Sequence, residues 1–112
     1  MRVAMSIAIL ALSAALAVEA SAPASREILE NDKVLVEEVV FAPGDDEPEH
    51  THAFDLVLVF IAGGFLESTT PDGKVTRLGG RPGEVVFLPK GSTHRAKNTS
   101  GKAVSLRLIV LK

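Results

Sequence analysis

The 112-residue chain is long enough for one domain and too short for two. Its formal net charge of −2 argues against nucleic acid, which calls for a basic face. The lack of any cysteine excludes disulfides, thiolate metal sites and a cysteine nucleophile. With no Trp, no Tyr and five Phe, any pocket is lined by aliphatic side chains, Phe and a few polar groups.

Met1-Arg2 opens the chain with a short positive region, and Val3 to Val18 is apolar apart from Ser6 and Ser13. Val18-Glu19-Ala20 then offers a small-x-small site for cleavage before Ser21. This order predicts a secretory signal peptide over residues 1–20 and a mature protein that is exported, periplasmic or secreted. A membrane anchor is the competing reading. The apolar run is shorter than the ~20 residues a spanning helix needs, Glu19 closes it, and no cysteine is present to carry a lipid. No stable anchor is therefore expected after cleavage.

Residues 21–25 read as a small-residue linker, and residues 26–112 as the folded domain. All nine Gly lie at or after position 44 and five of the six Pro at or after position 43, a punctuation that breaks the domain into short strands. The predicted strands are 26–29, 34–41, 56–62, 65–69, 74–78, 84–88, 94–98 and 103–111. Turns fall at 31–33, at Pro71-Asp72-Gly73, at 79–83 and at Pro89-Lys90-Gly91. Residues 42–49, with the acidic run Asp45-Asp46-Glu47-Pro48-Glu49, read as a loop, and His50–His52 as the end or edge of a strand. No helix of useful length and no solenoid repeat is expected, so the fold class is all-β. The segment 56–61 is apolar on both faces. One face fills a barrel, and the other needs a second layer, from within the chain or from a partner in a homodimer.

The chain has three histidines. In an extended strand residues i and i+2 point to the same side, so His50 and His52 converge from one short segment. His94, beyond a Pro-x-Gly turn, joins them if its strand pairs with theirs. Imidazole suits Zn, Fe, Ni, Cu and Mn. The plain alternative is a set of barrel-mouth histidines with no ion.

The surrounding residues carry a resemblance. Gly83, five residues, Pro89-Lys90-Gly91, two residues, His94, three residues and Asn98 reproduce the second motif of the cupin family in full. Gly44, five residues, His50-Thr51-His52 and then Gly63 or Gly64 resemble the first motif. The likeness runs from about Ile28 to Lys112. It implies a small double-stranded β-helix, the cupin or jelly-roll barrel, with His50, His52 and His94 binding a divalent metal ion such as Fe, Zn, Mn or Ni. The departure is the first motif's glutamate: its place falls on Leu56 or Val57, neither a ligand, and Asp55 stands one residue early and reads as a turn cap or salt-bridge partner.

The resemblance further implies binding of a small chelating molecule. With three neutral imidazoles the ion keeps its full charge, which suits a chelating substrate and the three-His dioxygenase branch of the family. Thiol dioxygenase chemistry is disfavoured by the lack of Tyr and Cys. The alternative is a non-catalytic barrel that binds a small ligand or a metal in the periplasm. No catalytic side chain and no organic cofactor is assigned. Arg95, Lys97 and Arg107 are candidates to pair with a substrate carboxylate.

Overall fold

The computed structural model describes residues 21–112; the leader expected over 1–20 lies outside the described residues. Nine strands follow one another: β1 (Ala24–Glu30), β2 (Val34–Phe41), β3 (Asp46–Thr51), β4 (Asp55–Gly63), β5 (Phe65–Thr69), β6 (Val75–Gly79), β7 (Val85–Leu88), β8 (Thr93–Lys97) and β9 (Val104–Leu111). They form a five-stranded sheet in the order β1-β2-β9-β4-β7 and a four-stranded sheet in the order β3-β8-β5-β6. All pairings are antiparallel. From β2 onward the chain passes repeatedly between the two sheets, the winding of a double-stranded β-helix.

Two segments differ from the sequence expectation. β1 begins at Ala24, inside the stretch read as linker, and the Ser21 carbonyl already accepts a hydrogen bond from the Asp46 backbone N–H. The acidic stretch read as a loop is mostly β3. Acidic residues and Pro lower strand propensity, but pairing with β8 outweighs it. β3 is also the edge of its sheet, where the missing N–H of Pro48 breaks no ladder.

The core sits between the sheets. Leu58 and Phe60 of β4, Val104 and Leu106 of β9, Val39 and Phe41 of β2, Leu66 of β5 and Ala96 of β8 are buried there. Strand alternation selects them and turns their neighbours outward. Asn98 is 1 % exposed and closes the far end of β8. Its side-chain amide donates to the carbonyls of Phe41, Ala42 and Lys102, and its oxygen accepts from the Ser100 backbone N–H. This is the strand-end role expected of it.

The apolar outer face of β4 is part of a wider pattern. Register places Leu29, Val36, Ile109, Val57 and Phe87 in one row across all five strands of the larger sheet. No described element of the chain covers this row, and Leu29 and Phe87 are about half exposed.

Candidate metal centre

β8 carries His94 on the inward face with Ala96, both buried, while Arg95 between them is exposed. β3 lies beside it, and His50 is the direct partner of His94 in that pairing. His52 follows just past the end of β3. Two backbone hydrogen bonds fix it: its N–H donates to the Ser92 carbonyl, and its carbonyl accepts from the Gly91 N–H. Gly91 has a φ of 88°, a conformation that costs a side-chain-bearing residue and that lets the Pro89-Lys90-Gly91 turn fold back onto His52.

The three imidazoles meet at one point. Their candidate ligand nitrogens lie within 4.8 Å of one another, and the Nε2 atoms of His52 and His94 are 3.1 Å apart. The outer nitrogens of two rings are held. His50 Nδ1 donates to the Pro48 carbonyl at 2.7 Å, which leaves Nε2 with its lone pair toward the site. His94 Nδ1 lies 2.7 Å from the Ser68 hydroxyl, in a buried contact. Such partners orient a metal-binding ring and select its tautomer. Two donor atoms at ~2.1 Å from a shared ion stand roughly 3.0 Å apart at a right angle and roughly 3.4 Å at the tetrahedral angle. The His52–His94 separation fits that range, so the donor set matches a divalent ion in chemistry and this pair matches it in spacing.

Burial, with the charges of His50 and His52 beside it, depresses the His94 imidazole to about 4. The His52 imidazole is lowered by burial and by His50. Neutral rings are what a metal binds, so at neutral pH His94 has no proton to give up. The depressed value also carries a stability prediction. The folded state holds fewer protons than the unfolded chain between pH ~6.5 and ~4, so stability falls as pH falls through that window. For the metal-free protein the loss from His94 by pH 5 is on the order of 2 kcal/mol at most. Urea unfolding at pH 7.5, 6 and 5 is expected to show it. The carboxylates of Glu30, Glu38 and Asp46 are also lowered, by Lys112, Arg26 and Arg95 in turn. Their contribution is lost at lower pH, below the ordinary carboxylate range, so the early part of the decline belongs to histidine.

His52 and His94 border an apolar cavity of about 150 Å³ that runs inward between the sheets, walled by Val39, Leu58, Leu66, Leu106 and Leu108. An apolar cavity of roughly this volume takes up a benzene-sized molecule. Pro23, Ser25, Glu37 and Glu47 lie at its β1, β2 and β3 side.

Leu56 lines this cavity and Val57 faces outward, so Leu56 occupies the place of the motif's glutamate. Asp55 does not replace it: its carboxylate accepts a hydrogen bond from the Lys90 backbone N–H at 2.7 Å and caps the turn before His94. The candidate cations point away as well. Arg95 makes a two-point ion pair with Asp46, Arg107 pairs with Glu38, and neither these arginines nor Lys97 borders the cavity. The sequence reading missed Ser68, 26 residues from His94 and in no motif, and it took Glu47, which borders the cavity, only as part of an acidic loop. Pro48 was the available signal for Glu47, since a proline inside a strand marks an edge or a bulge.

The family model for the cupin domain matches residues 37–111. No curated protein matches the chain. Among solved structures, a cupin domain from Bordetella pertussis Tohama I is 27 % identical with a TM-score of 0.75, over 85 % of this chain and 98 % of that one. The polyketide cyclase RemF from Streptomyces resistomycificus is 20 % identical with a TM-score of 0.69, over 84 % of this chain and 70 % of that one. The DMSP lyase DddQ from Ruegeria pomeroyi DSS-3 is 22 % identical with a TM-score of 0.67, over 81 % of this chain and 47 % of that one. At these last two identities the likeness concerns the fold alone. With the family match spanning most of the chain, and with the winding and the histidine cluster described above, this protein belongs to the cupin family.

Proposed function

We propose that this cupin is exported, holds one divalent metal ion on His50, His52 and His94, and uses it to take a small chelating molecule whose apolar part enters the cavity. The supporting observation is the convergence of three imidazoles beside an apolar cavity of about 150 Å³. When bound, such an ion supplies Lewis acidity and, if it is iron, redox chemistry toward oxygen. The chain's own residues do the rest. Ser68 and the Pro48 carbonyl hold the rings in place. Leu58, Leu66 and Leu106 shield the apolar part of a ligand from water. Oxygenase-type turnover of that ligand is the activity we assign first, because a site of neutral imidazoles leaves the charge of the ion to be met by an anionic chelate.

A second reading, binding without turnover, draws on Leu56, an apolar side chain where the first motif has a carboxylate. Elemental analysis of protein purified from the exported fraction, followed by oxygen uptake with small diketones, separates the two. Stoichiometric iron with oxygen consumption supports the enzyme. A metal-dependent ligand complex with no consumption supports the binder. Protein that neither contains nor accepts metal rules out both.

We further propose that a second copy covers the apolar row on the larger sheet, making a homodimer. Light scattering is expected to give twice the chain mass, and Phe87→Glu to return a monomer. A wild-type monomer at high concentration refutes this.

A further inference from the structure

The first cupin motif takes a carboxylate from the position that is Leu56 here, yet another carboxylate stands beside His50. β3 and β8 pair Glu47 with Ala96 and His50 with His94, so three steps along β3 match two along β8. The extra residue is a β-bulge at Pro48-Glu49. In a regular strand, residues three apart face opposite sides. The bulge cancels that alternation and turns Glu47 and His50 to the same side, inward, opposite the inward pair Ala96 and His94. Glu47 accordingly borders the same cavity as His52 and His94.

Its carboxylate is 3.6 Å from His50 Nε2, the nitrogen left free by the Pro48 carbonyl. That separation is close to the roughly 3.4 Å expected for two donors on one ion at the tetrahedral angle. Among the described residues no other ion pair or hydrogen bond occupies the carboxylate. Pro48 thus acts twice: it sits in the bulge that turns Glu47 in, and its carbonyl orients His50.

We propose that Glu47 is a fourth protein ligand of the metal, supplied from the strand before the His-x-His pair in place of the carboxylate lost at Leu56. This rests on the three-His metal site proposed above and refines it. A carboxylate lowers the net charge of the bound unit from +2 to +1 and shifts selectivity toward ions that favour oxygen. Four protein donors leave two positions on an octahedral ion, enough for a bidentate chelate.

The test is calorimetric titration of Zn²⁺ and Co²⁺ into metal-stripped wild type, Glu47→Gln, Glu49→Gln and His94→Ala, with the visible spectrum of the Co²⁺ forms. Glu47 is half-exposed, and Gln keeps its shape, so the fold is retained; circular dichroism checks this. Glu49→Gln removes the same charge from an exposed position two residues away. The expected result is one ion per wild-type chain. Glu47→Gln should bind about tenfold more weakly or worse with an altered Co²⁺ spectrum, Glu49→Gln within about twofold of wild type, and His94→Ala not at all. Wild-type affinity and spectrum in Glu47→Gln, with binding lost in His94→Ala, overturns the fourth ligand and leaves the three-His site standing. Equal weakening by the two Gln variants also overturns it, by reducing Glu47 to long-range attraction. A wild-type chain that takes up no ion removes the site itself.

Discussion

His94→Ala is expected to bind no stoichiometric metal and to lose the response of its melting temperature to chelators. His94 is the histidine most tied into the fold: 6 % exposed, between Ser68 on one nitrogen and His52 on the other. An ion that binds only the folded state adds its binding energy to folding, about 4 kcal/mol at a free concentration a thousandfold above Kd. In a domain of this size that is a shift of roughly 15–30 °C, which wild type should show on chelation and His94→Ala should not. Differential scanning calorimetry with and without a chelator reads both. A variant that keeps full metal content in elemental analysis would sink the site. Ser68→Ala should keep the stoichiometry and lose about tenfold or more in affinity, because it frees the ring without removing a donor.

Gly63→Ala is expected to be the most damaging single-methyl change in the domain. Gly63 ends β4 with a φ of 104°, and a Cβ there would lie 1.8 Å from the Ala103 carbonyl oxygen and 3.1 Å from the Val104 Cα. Backbone meets backbone, so no side-chain rotation relieves the clash. Relief requires moving the start of β9, where Val104 is fully buried and pairs with both Phe41 and Gly63. We expect a loss of about 3 kcal/mol or more, or failure to accumulate folded protein. Gly101→Ala is the control. It has a φ of 81° but nothing within 4 Å of the added carbon, so only backbone strain of about 1–2 kcal/mol applies. Chemical unfolding of the two variants side by side checks the prediction. Equal stabilities would mean that β9 yields more readily than its burial implies.

Gly63 also bears on what could be read from the sequence. The first motif was ambiguous by one residue, with Leu56 and Gly63 or Val57 and Gly64 as its end. Local spacing fits both; only the sheet pairing, which turns Leu56 inward, selects the first. The second motif carried no such ambiguity, because a Pro-x-Gly turn rigidly spaces His94 from Gly83 and Asn98. The three histidines and the all-β barrel class were therefore legible. Glu47 was not. A bulge changes which residues share a face without changing composition, and the acidic letters around it favour a loop reading. Ser68 was hidden for another reason: it reaches His94 through β5–β8 pairing, which no local pattern encodes. Arg95 shows alternation succeeding where chemistry misled. It lies between two inward residues and so faces out, to Asp46.

The bond from the Asp46 N–H to the Ser21 carbonyl has a practical consequence for handling the protein. It ties the incoming chain to β3, across from the sheet that holds β1, and Pro23 borders the cavity. The described chain therefore enters the fold beside the cavity. Lys112 donates its backbone N–H to the Lys33 carbonyl at the opposite end of β2, and Leu111 before it pairs with Asp55, beside the cavity-lining Leu56. A fusion partner or surface tether at either side of the described domain therefore starts close to the candidate site.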